Sequence, residues 1–318
     1  MRLKVIGRKT RLKAVVVVAL LTSLIAVSVS GCFLSKEVRA DRKAGFPMTL
    51  KDEAGREVKL STRPGRLVSM APSNTEILFA LGLGDKIFGV SNFDDYPPEA
   101  TKKEKVGDAF NPNYEKIVGL KPDLVLAVGT AQSEIVKKLD GLKVPTFVLQ
   151  ASSLAAVYDE IGLIGKVTGT AAKAAEVVSA MRAKEQAVLA KVATVPADKR
   201  PKVFWMLDDG LWTVGPGSFI NDIVVKLGAT NVAAKTNQAY PQYNMESLLK
   251  DDPAVIIIGS SSPDTMEKVK KLNGWSKLTA VKNNKVYTVN PDLVSRPGPR
   301  IIDGMEAAAK VLYPEQFK

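Results

Sequence analysis

The body of the chain alternates short runs rich in Val, Ile and Leu with longer stretches in which apolar residues recur every three or four positions. Short β-branched runs suit buried strands, and their alternation with helical stretches predicts an α/β fold with mainly parallel sheets. The strands expected are RLVSM (66–70), KIFGVS (86–91), LVLAVG (124–129) and TFVLQ (146–150), then KVFWML (202–207), LWTVG (211–215), VIIIGS (255–260) and KVYTV (285–289). Ahead of them, TLKDEAGREVKL (49–60) alternates around Ala54-Gly55 as a hairpin does. Between the two groups, Ala171, Ala174, Val178, Met181, Val188 and Val192 fall at helical spacing, interrupted by Glu185, and predict one helix of about six turns. Pro196 and Pro201 stop it. The pattern divides the body into an N-terminal α/β lobe (47–152), a connecting helical segment (153–198) and a C-terminal α/β lobe (199–318). Two three-layer lobes joined by one long helix would have a stiff hinge and close only slightly on a ligand.

Parts of the two lobes repeat. NPNYEKIVGLKPDLVLAVG (111–129) and QYNMESLLKDDPAVIIIG (242–259) align at a constant offset of 131, pairing Asn113 with Asn244, Glu115 with Glu246, Ile117 with Leu248, Pro122 with Pro253 and Val125 with Ile256. Each copy reads as a helix, a proline stop and a buried strand. A fainter echo at offset 146 pairs Ile77, Leu81 and Gly82 with Ile223, Leu227 and Gly228. Any two βα units look somewhat alike; if the repeat is real, the lobes are similar.

The start of the chain is different in kind. Arg2, Lys4, Arg8, Lys9, Arg11 and Lys13 occur without an acid, and residues 14–30 carry no charge, the basic head and apolar middle of a secretory signal. A retained membrane span is the other reading of so long an uncharged run. Cys32, the one cysteine of the chain, decides for the signal. Val29-Ser30-Gly31-Cys32 resembles a bacterial lipobox, which implies removal of residues 1–31, diacylation of Cys32 and a lipidated tether over 32–46. Two acyl chains hold a protein stably on a membrane where one holds it marginally.

Losing the leader removes six of 45 basic residues and leaves 39 against 33 acidic ones, a charge of +6 in place of +12. Lys36, Arg39, Arg42 and Lys43 in the tether suit an anionic leaflet, and with Glu37 and Asp41 counted the body is left near +4. The body has no basic run with interleaved aromatics, so nucleic acid is not an expected partner. The chain has no histidine and its one thiol is committed to lipid, which removes His-dependent hydrolysis, His-ligated zinc and His-held haem. Asp94-Asp95, Asp208-Asp209 and Asp251-Asp252 are acid pairs that suggest a glycosidase, but adjacent residues in a turn rarely converge on one bond. A binding protein is expected, not an enzyme.

From about Gly65 to Tyr313 the body resembles the helical-backbone class of substrate-binding proteins that serve ABC importers of cobalamin, ferric siderophores and haem. Residues 66–100, 111–127, 214–233 and 295–315 look like the signature regions of that family, in order. The resemblance implies ligand in the cleft between two α/β lobes. It also implies a lipid-anchored, extracytoplasmic monomer without a resident cofactor, whose partners are the permease and ATPase of an importer. DDYPPEA (94–100) is similar to the cobalamin branch and implies a corrinoid, cobalamin or cobinamide; a ferric siderophore or haem is the alternative. By position, Phe93, Phe110 and Tyr240 match aromatic wall residues, and Asp292 and Arg296 match polar groups that meet the corrin amides. A broad apolar ring edged with amides needs both kinds of contact. Trp205 and Trp212 are further wall candidates that, like Phe219, could equally be core. GPGSF (215–219) reads as a tight helix start, since no Lys-Ser/Thr follows to make a phosphate cradle.

The same resemblance implies one exposed glutamate per lobe that meets permease arginines, and assigns these to Glu76 and Glu246. The internal repeat instead pairs Glu246 with Glu115, which stands as the rival. Glu76 follows Ser73 by three residues as in a capping box, and Glu246 follows Asn244 in a first turn, where a carboxylate suits the helix dipole.

Overall fold

The computed structural model describes residues 45–318 apart from 109, 130–132 and 260–262. The leader, Cys32 and most of the tether lie outside the described residues. Residues up to Thr49 with Lys59–Arg63 group as one compact unit, and Leu50–Val58 with Pro64–Lys318 as another. The first contains ends of both strands of a two-stranded ribbon, β1 (Met48–Lys51) and β2 (Glu57–Leu60), the hairpin expected.

The second unit carries two parallel sheets. β3 (Leu67–Ser69), β4 (Ile87–Val90), β5 (Glu104–Lys105), β6 (Leu124–Val128) and β7 (Thr146–Leu149) lie in the order β5-β4-β3-β6-β7. β8 (Lys202–Met206), β9 (Thr230–Asn231), β10 (Val255–Ile258) and β11 (Val286–Thr288) lie in the order β9-β8-β10-β11. Matching β3 with β8 gives both lobes one topology, with β5 an addition to the first. The central strands have no solvated face: Leu124 to Ala127 and Ile256 to Ile258 are fully buried, as expected where crossover helices cover a parallel sheet.

The helices are α1 (Pro72–Ala80), α2 (Tyr114–Gly119) and α3 (Ser133–Gly141) in the first lobe, then α4 (Leu154–Val167) and α5 (Ala171–Ala193). The second lobe adds α6 (Phe219–Lys226), α7 (Met245–Asp251), α8 (Pro263–Lys270), α9 (Thr279–Lys282), α10 (Pro291–Val294) and α11 (Ile301–Leu312). The long helix α5 packs on α4 and α11 through Ala174, Met181, Val188 and Val192. Glu185, the break in its apolar stripe, is buried too, with Lys226 Nζ at 3.2 Å and the Tyr158 hydroxyl donating to it at 2.8 Å.

The repeat is structural. Asn113 caps α2 by accepting from Lys116 N–H at 3.0 Å, and Asn244 caps α7 by accepting from Ser247 N–H at 2.8 Å. Lys121 and Asp252, also 131 apart, both take left-handed backbone (φ +48° and +40°) before the proline, and β6 and β10 begin in register at 124 and 255. The fainter echo is a shared helix ending. Leu81 and Leu227 donate back to Ile77 and Ile223, and Gly82 and Gly228 follow at φ +76° and +74°, where glycine carries no Cβ penalty.

Three local expectations differ. Residues 211–215 form isolated bridges and no ladder, because Leu211 takes φ +61°, which breaks an extended run at its start. β5 and β9 have two residues each, too few for a hydrophobic pattern to reveal. Ser73 does not cap α1: Pro72 occupies the first helical position behind Ala71, which makes no side-chain cap bond, so Ser73 and Glu76 lie inside the helix.

Candidate functional site

A cavity of about 340 Å³ lies between the lobes. Ser73 and Asn74 from α1, Gln150 after β7 and Glu160 from α4 line one side; Tyr240 and Ser295 line the other. Among the described residues no lysine or arginine lines it. Glu160 is buried, and burial together with the neighbouring Glu53 carboxyl pushes its pKa up to about 9, so it is neutral at pH 7. Asn74 is buried with a side-chain amide nitrogen that has no hydrogen-bond partner among the described residues.

Beside the cavity an ion cluster ties the lobes together. Glu76 on α1 is 4% exposed, and Arg300, just before α11, grips it through Nε at 2.8 Å and Nη2 at 2.6 Å. Arg296 lies 3.3 Å from the same carboxylate, 2.6 Å from Asp95 and 2.8 Å from Asp292. Arg300 also stacks on the Tyr96 ring at 3.7 Å. Its hydrogen bond to Glu76 raises the Arg300 pKa, and the bond from Arg296 holds Asp95 below the usual carboxylate range. Two guanidiniums thus meet three carboxylates. Asp94, next to Asp95, is buried, which pushes its own carboxyl upward.

The assignment of Glu76 to transporter docking is therefore corrected: a carboxylate enclosed by two arginines of the opposite lobe offers nothing to a partner. The exposed pair at matching places is Glu115 and Glu246, each second in its helix behind an asparagine cap. A carboxylate there also suits the helix dipole, so both have a local reason to stand outward.

Of the candidate wall residues, Phe93, Phe110, Trp212 and Tyr240 are 62, 79, 42 and 47% exposed. The loops of Phe93 and Phe110 are joined by the Asn92 N–H donating to Gly107 O at 2.7 Å. The Trp212 and Tyr240 segments are joined by a bridge from Trp212 to Gln242 and by Thr213 N–H donating to Pro241 O at 3.0 Å. Tyr240 alone of the four lines the cavity. Trp205 must be withdrawn as a wall: it is fully enclosed in β8, paired with Ile257 of the central strand, and has no surface to present. Phe219 lines the cavity but is mostly buried at the start of α6. Asp292 and Arg296 stand at the rim, already bonded to each other.

Tyr96, Arg300, Asn74 and Glu160 were not singled out in the sequence. Arg300 repeats Arg296 four residues on, and Tyr96 belongs to the same DDYPP stretch as Asp95, so both had a signal; Glu160 and Asn74 look like ordinary helical polar positions. Among the described residues no cluster of three or more His, Cys, Asp or Glu could hold a metal ion, and no helix is long and apolar enough to cross a membrane.

Residues 67–293 match the periplasmic binding protein family. The chain is 39% identical over 306 residues, 93% of its own length and 96% of the other, to YvrC of Bacillus subtilis, named an uncharacterized ABC transporter substrate-binding lipoprotein. It is 32% identical over 283 residues, 86% of this chain and 76% of the other, to a cobalamin-binding protein of Halobacterium salinarum. A solved structure from Staphylococcus epidermidis, described as a possible iron-binding periplasmic solute-binding protein, superposes with a TM-score of 0.70 at 34% identity, covering 79% of this chain and all of that one. A matched family over most of the chain, two parallel α/β lobes and a cavity between them lead to one conclusion: the chain belongs to the periplasmic binding protein family and is the substrate-binding component of an ABC transporter.

Proposed function

We propose that this protein captures a corrinoid, cobalamin or cobinamide, between its lobes and hands it to an ABC importer while anchored outside the cytoplasmic membrane through diacylated Cys32. The observation that carries this reading is the set of exposed aromatics, Phe93, Tyr96 and Phe110 from the first lobe and Trp212 and Tyr240 from the second. Aromatic rings left out of the core offer flat apolar faces that a macrocycle would cover. The cobalamin-binding relative supports the reading. The staphylococcal structure favours an iron chelate instead, but an anionic chelate asks for free cations, and Arg296 and Arg300 are committed to Glu76, Asp95 and Asp292. Glu115 and Glu246 would meet the permease, one on each lobe, and fix orientation more than affinity. The lobes in this reading are 47–152 and 199–318, joined by the segment 153–198.

The test is calorimetric titration of the full chain in detergent micelles with cyanocobalamin, dicyanocobinamide, haem and a ferric hydroxamate. One-to-one binding of a corrinoid is expected. Uptake of haem or the hydroxamate with no corrinoid bound would overturn the corrinoid reading and leave the transport role.

A further inference from the structure

The cavity between the lobes has a polar chemistry that the exposed rings of Phe93, Phe110 and Trp212 outside it do not share. Asn74 contributes a donor: its buried amide nitrogen has no partner among the described residues. Leaving such a group unsatisfied costs stability, so it is a natural place for a ligand acceptor. Glu160, neutral and with its proton donated to the Glu53 carboxyl, contributes its carbonyl oxygen as an acceptor in the cavity wall. Glu53 is fixed in turn, since its backbone N–H donates to Val148 O at 3.0 Å and its carboxylate accepts from the Gln150 N–H. Among the described residues no cationic side chain lines the space.

We infer that this cavity is a subsite for a primary carboxamide, whose carbonyl accepts from Asn74 and whose N–H donates to Glu160, and that it discriminates against carboxylates. The argument is one of matching. A carboxamide is both donor and acceptor and carries no charge. A carboxylate could accept from Asn74 but, with the Glu160 proton donated to Glu53, finds no second donor, meets the Glu53–Glu160 acid pair and, among the described residues, finds no cation to offset its desolvation. An ammonium group suits the acids but leaves Asn74 unpaired. The inference rests on the corrinoid reading only for which molecule brings the amide; Asp292 and Arg296, the residues first matched to corrin amides, are occupied with each other, and the amide would be read at the cavity floor instead.

Two measurements separate the subsite from the corrinoid reading. In the first, the full chain in detergent micelles, labelled with ¹⁵N-asparagine, is titrated with acetamide and with acetate, and the Asn74 side-chain signal is identified by its loss in Asn74→Ala. Acetamide should shift that signal progressively and acetate at equal concentration should not. Equal shifts from both probes, or none from either, would overturn the subsite whatever the ligand is. In the second, dicyanocobinamide is compared with dicyanocobyrinic acid, the same ring system with carboxylates in place of amides. The amide form should bind at least tenfold more tightly, with Asn74→Ala and Asn74→Ser narrowing that ratio at least threefold. Equal affinities would again overturn the subsite. If neither corrinoid binds but acetamide still moves Asn74, the amide subsite stands and the corrinoid reading falls.

Discussion

Helices α2 and α7 carry the same devices in the same order: an asparagine cap, a glutamate at the second helical position, a left-handed residue, a proline and a buried strand. Helices α1 and α6 also share an ending, yet their middles have diverged. Glu76 on α1 reaches Arg296 and Arg300 of the opposite lobe, whereas Asp222, 146 residues on, accepts from the Leu154 N–H at 2.9 Å. The difference follows what each pair faces. Glu115 and Glu246 face solvent, where a partner touching both lobes would meet the same feature twice. Glu76 faces the interior between the lobes, where an asymmetric ligand gives no reason for the two sides to stay alike.

Substitutions can break that contrast. The largest effect on stability should come from Glu76→Ala. Removing this buried carboxylate takes away the acid that Arg300 grips, while Arg296 keeps Asp95 and Asp292, and urea unfolding should report a loss of about 3–5 kcal/mol. A loss below about 1 kcal/mol would mean that the cluster is not a tie between lobes. Next, Phe93→Ala with Tyr240→Ala should weaken corrinoid binding by about 2–3 kcal/mol, roughly 30- to 150-fold, with little change in unfolding, because both rings are exposed. Unchanged binding would place the macrocycle elsewhere.

Glu160→Gln probes the acid in the cavity wall through pH. Its folded pKa of about 9 is raised above the ordinary 4.5, so its contribution is full below 4.5 and is lost as pH rises through 9. Stability of the wild-type chain should fall across that window with a slope approaching about 1.4 kcal/mol per pH unit, and Glu160→Gln should remove the slope. Identical profiles would show that Glu160 ionises normally in the folded chain. The smallest effects should come from Asn113→Ala and Asn244→Ala, about 1 kcal/mol each, and nearly equal because the two caps are built alike.

Much of the fold was legible because parallel strands are buried on both faces and write themselves as unbroken β-branched runs. LVLAV and VIII are such runs, and the constant offset between them discloses the lobe repeat. What escaped was short or non-local. The two-residue strands β5 and β9 have no room for a pattern, and the left-handed turn at Leu211 looks in sequence like the start of a strand. In the site, Phe93, Phe110 and Tyr240 could be found because they sit in polar, proline- or asparagine-bearing loops. Glu76 was misread because its partners lie 220 and 224 residues away, so nothing near it in the chain announces that it is buried. The repeat held the exposed alternative, since helices that match in cap, spacing and strand should match in what they expose.

The most direct test of this division is the double substitution Glu115→Ala with Glu246→Ala, measured for both corrinoid binding by the full chain and corrinoid uptake by cells that carry the importer. Binding within about twofold of wild type, together with uptake reduced to background, is the expected result. Normal uptake by a double mutant that binds normally would contradict the account, because the features the two lobes share would then not be what the transporter reads.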